Sequence, residues 1–379
     1  MTPPDVLVVG AGIVGAAIAH ELRQRGITVS LLDARCPAAT DAGMGHLVTM
    51  EDDAAEFALA RASMTVWREW QPRLPSACAF AEIGTLWLAA DEAEVHEAQR
   101  KQQRLAAGGV ASEWLDAAQL KQAEPHLAAD LAGGLRVPGD AIVYAPAVAR
   151  WLLRQAPSDG ADVRRHEPEL EPAEVVAIEA DGSTLRLADG TTRSAGCIVL
   201  ATGADARALC PELPVVPKKG HLIITDRYPG TVRHQLVELG YAASTQATSG
   251  INVAFNLQPR PTGQLLIGSS RQFDSADASV DADVIARMLK RALRYMPALA
   301  RMNAIRSWTG LRPATPDGLP IIGPHPSRPR LWLAVGHEGL GVTTAPGTAL
   351  LIAAGITGAA PPLDAAPYRA ARFELKAAA

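Results

Sequence analysis

The chain is poor in the residues that mark secreted, metal-binding or nucleic-acid-binding proteins. Its four cysteines in 379 residues form no CxxC pair, so we expect neither a disulfide framework nor a protein-ligated iron–sulfur cluster. The nine histidines show no HExxH-like spacing, so no metal site is predicted. The 36 basic and 40 acidic residues are well mixed, which argues against nucleic acid as a partner. There is no recognisable secretory signal and no uninterrupted apolar run of about eighteen residues. We therefore expect a cytoplasmic protein whose contact with the inner membrane, if any, runs through partners.

The N-terminal segment carries the most informative pattern. Residues 5–33 read DVLVVGAGIVGAAIAHELRQRGITVSLLD, which predicts a strand, a glycine-rich turn, a helix and a second strand. This is the dinucleotide-binding fingerprint, in which the glycines allow a tight turn, a close pyrophosphate and close helix–strand packing. The helix N-terminus favours the phosphates, and the carboxylate ending the second strand can bind ribose hydroxyls. The alternative is a glycine-rich turn without a ligand. The residues predicted to bind are Gly10, Ala11, Gly12, Ile13, Val14, Gly15, Asp33, Ala34 and Arg35.

The rest of the chain alternates between helical and β-rich stretches. Apolar periodicity and Pro/Gly stops predict helices over 51–71, 91–107, 116–124, 146–153, 281–296 and 341–352. Strands are predicted over 82–89, 141–144, 174–179, 185–187, 197–200, 219–225, 253–257, 265–268 and 331–335. Residues 305–323 are predicted to be turn-rich.

Three segments together resemble the FAD-dependent D-amino-acid oxidase superfamily, which includes glycine oxidase and sarcosine oxidase. They are the N-terminal fingerprint, IVLATGA at 198–204, and GLRPATPDGLPIIG at 310–323 followed by Gly336-His337. Two further stretches, AGMGHL at 42–47 and GHEGLGVTTA at 336–345, resemble FAD subunits of multi-subunit bacterial dehydrogenases. Examples are D-hydroxyproline dehydrogenase, opine oxidase and hydrogen cyanide synthase.

The resemblance implies an α/β fold in which a Rossmann-like FAD-binding domain is built from discontinuous segments. We assign residues 1–50, 140–217 and 305–379 to that domain. Residues 51–139 and 218–304 are assigned to an inserted β-rich α+β substrate or cap domain. This division follows from the positions of the cofactor motifs at the start, middle and end of the chain.

The resemblance also implies the chemistry, a hydride transfer from the carbon that bears nitrogen to flavin N5. Arg312 matches the arginine that clamps the substrate carboxylate, although a surface ion-pair arginine is the alternative. His46 lies near the implied flavin ring, where it lines the site or is a loop histidine bonded to backbone. Tyr241 is a candidate wall of the substrate pocket. His337 is expected to position its loop, and the backbone of Gly339–Gly341 to face flavin N1 and O2.

Beyond the fingerprint, the resemblance places a further set of residues around FAD. These are Gly43, Met44, Gly45, His46, Leu47, Val175, Ala201, Thr202, Gly203, Gly310, Arg312, Gly336, His337, Glu338, Gly339, Leu340, Gly341, Val342 and Thr343.

One departure from the simple oxidases bears on the substrate. Residues 336–345 contain no arginine where those enzymes carry a second one, so carboxylate recognition is expected to rest on Arg312 alone. This leaves room for a secondary amine, such as an opine or a ring amine. Lys218 and Lys219 suit the phosphate of an FMN at a subunit interface, or else form a solvated pair. His221 is either a pocket wall or, as favoured here, a packing residue.

The predicted function is the FAD subunit of a D-hydroxyproline or proline-type secondary-amine dehydrogenase, passing electrons to an iron–sulfur or other electron-transfer partner. One alternative is a stand-alone oxidase of glycine, D-amino acids or sarcosine that uses O₂. Another is an opine or cyanide-forming glycine dehydrogenase subunit. An assembly subunit with an inert flavin is a third. An NAD-dependent dehydrogenase fits the first 33 residues but gives no role to 310–344.

Overall fold

The structure is a computed structural model that describes residues 3–156, 169–240, 250–273, 275 and 277–374. Its strands are β1 Val6–Val9, β2 Val29–Asp33, β3 His46–Leu47, β4 Thr85–Ala89, β5 Glu113–Asp116, β6 Gly133–Val137, β7 Ala141–Ile142, β8 Glu169–Pro172, β9 Val175–Ile178, β10 Thr184–Leu187, β11 Thr192–Ser194, β12 Cys197–Leu200, β13 Val216–Arg227, β14 Gln235–Glu238, β15 Ile251–Pro259, β16 Gln264–Gln272, β17 Ala304–Ala314, β18 Ile321–Pro324 and β19 Leu331–Val335. The helices are α1 Ile13–Gln24, α2 Ala39–Ala42, α3 Ala54–Trp70, α4 Glu92–Ala107, α5 Ala117–Ala123, α6 Ala145–Arg154, α7 Ala206–Leu209, α8 Ala282–Tyr295 and α9 Gly341–Thr357.

A six-stranded sheet carries the N-terminal fingerprint. Its strand order is β18-β19-β12-β1-β2-β8, and all neighbours are parallel except β18, which runs antiparallel to β19. Side chains of β1 alternate between two cores, with Val6 and Val8 facing α1, α3 and α9, and Leu7 and Val9 facing the opposite side. Parallel strands buried on both faces are typical of doubly wound folds. The predicted α/β class is confirmed.

An eight-stranded sheet forms the second half of the architecture. Its order is β17-β13-β16-β15-β14-β4-β6-β5. One face packs on α8 through Val284, Met288 and Ala292. The opposite face packs near β5 on Val48, Met50 and α4. At the β17 end that face meets the segment that leads into β3, because the Trp308 indole donates to the Ala42 carbonyl (3.1 Å).

Most predicted elements are present, with one clear correction. Residues 305–323 are not simply turn-rich, because β17 runs from Ala304 to Ala314 and pairs with β13 along its length. Gly310 and Pro313 suggest a turn, yet β17 is an edge strand, where a proline's missing N–H is tolerated.

The predicted domain division stays a prediction, and three elements conflict with it. The boundary before residue 218 falls inside β13 and the boundary before residue 305 falls inside β17, and both are strands of the eight-stranded sheet. Helix α3, assigned to the cap, packs Leu59, Met64 and Trp67 into the core beneath the six-stranded sheet. Within the described ranges, no helix combines the length and apolarity needed to cross a membrane.

Candidate active site

The three glycines of the fingerprint differ in what requires the absence of a side chain. Gly10 has φ +101°, and a Cβ there would lie 2.5 Å from the Ala201 carbonyl oxygen. A Cβ on Gly15 would overlap the Gly10 carbonyl group. Gly12 has an ordinary φ of −63°, and a Cβ there would meet only Thr40, at 3.0 Å from its Oγ1. Neither backbone strain nor protein backbone demands glycine at position 12, which fits a ligand approaching the N-terminus of α1.

Asp33 ties the fingerprint turn to the end of β2. Its Oδ2 accepts from the Ala11 N–H (2.7 Å) and its Oδ1 from the Arg35 N–H (2.6 Å). Thr40 Oγ1 likewise accepts from the Ile13 N–H (3.0 Å). Ala34 and Arg35 follow on the surface. The ribose contact of Asp33 stays a prediction, and the structure places its carboxylate beside the turn that would hold the phosphates.

Two buried polar atoms support the presence of a large ligand. Thr202 Oγ1, in the Ala201–Gly203 segment after β12, and His46 Nε2 have no hydrogen-bond partner among the described residues. A buried polar atom without a partner is destabilising by about 1–3 kcal/mol, so such atoms ordinarily have one. A bound FAD would supply partners for both atoms, and the residues present therefore fit this cofactor. Val175, at the start of β9, packs against the core that contains Leu7 and Val9.

His337 connects the loop between β19 and α9 to the body of α9. Its Nε2 lies 3.0 Å from Thr348 Oγ1, and burial lowers the pKa of His337 to about 4. The imidazole is therefore neutral at physiological pH, in agreement with a loop-positioning role. Gly336 and Glu338 both have positive φ, +80° and +46°. The loop then leads into α9, which begins at Gly341. Val342 packs on the core beside α1, and Leu340 packs on the core formed by Val48, Met50 and α4.

The 43–47 segment is fastened to α9 and to β7. Thr343 Oγ1 donates to the His46 carbonyl (3.0 Å) and accepts from the Val48 N–H (3.2 Å). The Gly45 carbonyl accepts from the Val143 N–H (2.8 Å). His46 and Leu47 therefore lie next to the N-terminal turn of α9, and the contact of Gly43, Met44, Gly45, His46 and Leu47 with FAD stays a prediction.

His46 is kept neutral by its surroundings. Burial, and then the charges of Arg260 and Arg312, lower the pKa of His46 to about 3. Arg260 is itself fixed by the carbonyls of Met44 (3.3 Å) and Val143 (3.2 Å). A neutral imidazole can donate or accept a hydrogen bond at its buried Nε2 but holds no positive charge there.

Arg312 projects from β17 over the glycines of its neighbours. Its Nη1 donates to the Ser270 carbonyl on β16 (2.9 Å). A Cβ on Gly220 would lie 2.7 Å from Arg312 Cζ, and one on Gly339 would lie 3.8 Å from its Nε. Gly310 on the same strand has no room for a Cβ because Ala42 packs against it. The guanidinium therefore lies between the eight-stranded sheet and the 336–341 loop rather than on an open surface.

Arg312 is not the only cation near Glu338, because Arg271 and Lys218 also lie beside this carboxylate; recognition of a substrate carboxylate by Arg312 alone stays a prediction. Glu338 Oε1 lies 3.4 Å from Arg271 Nε and 4.0 Å from Lys218 Nζ. Burial alone would raise the pKa of Glu338, but the charges of Arg271, Arg312 and Lys218 lower it to about 2. Arg271 was missed, because it lies beyond the predicted strand 265–268, in the part of β16 that the sequence did not predict.

The two adjacent lysines do not form a solvated pair, because Lys218 and Lys219 lie on opposite faces of β13. The Lys219 side chain is 2% exposed and its Nζ pairs with Asp277 (2.8 Å). Lys218 lies beside Glu338 and the Phe273 ring. His221 is buried and contacts Ser270 Oγ (3.0 Å), as a packing residue would. The FMN site stays a prediction, and Tyr241 lies outside the described residues.

A separate buried group brings together Cys210, Glu212 and His325, whose ligand-type atoms lie within 4.8 Å of one another. No local sequence pattern predicts this group, because Cys210 and Glu212 follow α7 whereas His325 lies in the turn between β18 and β19. Arg328 donates to Glu212 Oε1 (3.1 Å) and contacts Cys210 Sγ (3.8 Å). The arginine supplies the positive charge that a metal ion would bring, so we interpret the group as an ion-pair network.

Comparisons with known proteins agree with this geometry. The family described as FAD dependent oxidoreductase matches residues 5–354. Glycine oxidase of Geobacillus kaustophilus is 31% identical, over 97% of both chains. Its crystal structure superposes with a TM-score of 0.85 at 28% identity, over 100% of both chains. Hydrogen cyanide synthase subunit HcnC of Pseudomonas aeruginosa is 26% identical, over 99% of this chain and 97% of its own.

The fold extends to more distant relatives. L-proline dehydrogenase from P. horikoshii has a TM-score of 0.86 at 22% identity, over 98% of both chains. The NAD-dependent alternative has no support, because the match covers the segments that it left without a role. The chain thus belongs to the FAD-dependent oxidoreductase family and is an FAD-dependent oxidoreductase that acts on amino acids.

Proposed function

We propose that this protein oxidises the C–N bond of a secondary-amine amino acid and passes the electrons to a partner protein. Ring amines of the D-hydroxyproline or proline type are the first expected substrates, and opines the second. The observation that carries the proposal is the position of Arg312, whose guanidinium lies between Gly220 and the 336–341 loop. When bound, FAD supplies the hydride acceptor, and the protein supplies orientation and charge.

The protein residues have a limited task in such a reaction. Arg312 can bind the substrate carboxylate with two parallel N–H donors and so fix the adjacent carbon. His46 and His337 are both neutral at physiological pH because burial lowers their pKa values to about 3 and about 4. Neither imidazole is therefore poised to change its charge near pH 7, and we assign orientation rather than proton storage to both.

Two electron acceptors are considered, a partner protein and O₂, and each has support from one relative. The subunit character of HcnC, stated in its name, supports a partner-dependent dehydrogenase. The glycine oxidase relative supports a stand-alone enzyme that uses O₂. Residues 336–345 contain no arginine, whereas the simple oxidases carry a second one there. We take this difference as the reason to favour the partner-dependent dehydrogenase.

The test is anaerobic reduction of the purified yellow protein, followed by absorbance of the flavin. The panel contains cis- and trans-4-hydroxy-D-proline, D-proline, sarcosine, glycine, D-alanine and an opine. Reduction by the secondary amines and slow reoxidation in air, with little H₂O₂, is the expected result. Rapid reoxidation with stoichiometric H₂O₂ would instead identify an oxidase. No reduction by any amine, with FAD bound, would refute the proposed function and favour the inert-flavin alternative.

A further inference from the structure

One buried amide on the eight-stranded sheet has an acceptor atom without a partner. Asn256 lies on β15 and is 4% exposed, and its Oδ1 has no hydrogen-bond partner among the described residues. Leaving such an acceptor unpaired is destabilising, so buried amide oxygens ordinarily have a donor. The donor at Asn256 therefore comes from a molecule that binds beside this strand.

The register of β15 places Asn256 on the face of the sheet that carries the candidate active site. Asn256 pairs with Val237 on β14 and with Gly268 on β16, and directly paired residues have their side chains on the same face. Val237 belongs to the core on which Leu340 packs. A Cβ on Gly268 would lie 3.0 Å from Met44 Sδ and 3.9 Å from Asn256 Cβ. Asn256 thus lies beside two of the segments that are predicted to contact FAD.

The amide lies at some distance from the proposed carboxylate clamp. The Arg312 guanidinium lies over Gly220 on β13, whereas Asn256 lies two strands away on β15. Asn256 is level with Leu222 rather than with Gly220, because a Cβ on the intervening Gly268 would meet Leu222 Cδ2 at 3.0 Å. Strand spacing and rise give a separation of roughly 10 Å between guanidinium and amide. The amine of an amino acid is attached to the carbon next to the carboxylate and does not span this gap, so a group on the far side of the substrate must.

We propose that Asn256 is a specificity-determining residue that binds the ring hydroxyl of a hydroxylated proline-type substrate while Arg312 binds its carboxylate. The inference rests on the proposed function and narrows it from ring amines in general to hydroxylated ring amines. A hydroxyl both donates and accepts, so it suits an amide that carries an acceptor oxygen and a donor NH₂ group. A substrate without the hydroxyl would leave the amide buried and unpaired, and sites of this kind discriminate strongly against the analogue that lacks the group.

The fixed position of the amide also predicts a stereochemical preference. The two epimers of 4-hydroxy-D-proline differ in the face of the ring that carries the hydroxyl. With the carboxylate on Arg312 and the reacting carbon toward the flavin, only one ring face is turned toward β15. We therefore expect one epimer to be favoured over D-proline and the other to react no faster than D-proline.

The measurement is the rate of anaerobic flavin reduction of the holoenzyme by each epimer and by D-proline, at varied concentration. The favoured epimer should exceed D-proline by about 10-fold to 100-fold in apparent second-order rate constant, the range for a buried polar group that loses its partner. Asn256→Leu should remove this preference and leave the constant for D-proline nearly unchanged. Asn256→Asp, which keeps an acceptor oxygen at the same place, should retain part of it. Asn303→Leu changes an exposed asparagine just before β17 and is the matched control, which should keep the full preference.

The outcomes separate this inference from the proposed function. Equal constants for both epimers and D-proline in the wild-type protein, with the flavin reduced, would overturn the hydroxyl contact alone. A preference that survives in Asn256→Leu would remove Asn256 from the site, and loss of FAD from a folded Asn256→Leu would assign the amide to the cofactor instead. If Asn256→Leu does not fold, Asn256→Ala, which adds no bulk, makes the same test. Failure of every amine to reduce the flavin would defeat the proposed function itself.

Discussion

Gly220 leaves the space in which the Arg312 guanidinium lies, and adding one methyl group there should displace it. A Cβ at position 220 would lie 2.7 Å from Arg312 Cζ and 2.8 Å from Nη2. Ordinary contacts of this kind are about 3.5 Å, so the guanidinium must move by roughly 1 Å. The φ of Gly220 is outside the range that strains an L-residue, and the obstructing atoms are the end of a flexible side chain. Gly220→Ala should therefore fold normally.

A misplacement of about 1 Å in a substrate-positioning group can reduce activity about 100-fold, which corresponds to about 2.7 kcal/mol of lost transition-state stabilisation. We expect Gly220→Ala to retain flavin absorbance and melting temperature but to reduce kcat/KM by about that factor, mostly through KM. The matched control is Gly139→Ala, where a Cβ would meet only Arg68 Nη2 at 3.8 Å. Normal kinetics in Gly220→Ala would refute the assignment of Arg312 as the carboxylate clamp, or its position between Gly220 and the loop.

Three further substitutions test other parts of the structure. Gly12→Val should give folded protein without flavin absorbance, because its side chain would fill the space at the N-terminus of α1; a yellow variant would contradict the fingerprint assignment. Arg312→Ala should lower kcat/KM by on the order of 100-fold or more and raise KM, because a charge-assisted clamp is worth about 2–4 kcal/mol; unchanged steady-state kinetics would exclude the role. Burial raises the pKa of Asp140 to about 7 from its ordinary value of 3.8. The folded protein therefore holds a proton that the unfolded chain has lost, and the free energy of unfolding falls as the pH rises from 3.8 to about 7. Asp140→Asn cannot ionise, and its free energy of unfolding relative to wild type should rise by roughly 1–3 kcal/mol from pH 5 to pH 8 in urea titrations; a constant difference would contradict the raised pKa.

The elements that the sequence predicted well are those whose signal is local. The β1–α1–β2 unit lies within 29 residues, and its turn glycines, helix period and terminal acid are all read from neighbours along the chain. The helix predicted over 51–71 corresponds to α3, and Asp53 caps it by accepting from the Ala55 and Glu56 N–H groups. Local backbone preferences and apolar periodicity are sufficient for such predictions.

The errors occurred where a residue's neighbours are distant in sequence. β17 contains Gly310 and Pro313, which favour turns, yet pairing with β13 imposes an extended strand. Lys219 was expected to form a solvated pair with Lys218. Strand alternation instead turns its side chain to the opposite face of β13, where it pairs with Asp277, 58 residues away in the sequence. Glu338 and Arg271 are 67 residues apart, so no local pattern could join them.

The sequence by itself determined the α/β class, and it predicted a dinucleotide site at the N-terminus of α1 and the candidacy of Arg312, because the fingerprint and the segments that carry the resemblance are each short and contiguous. Only the tertiary structure decided what surrounds Arg312. Strand register and the approach of the 336–341 loop bring Lys218, Arg271 and Glu338 to one place. Those contacts depend on the packing of strands and a loop from distant parts of the chain, which is the physical reason that no short segment could reveal them.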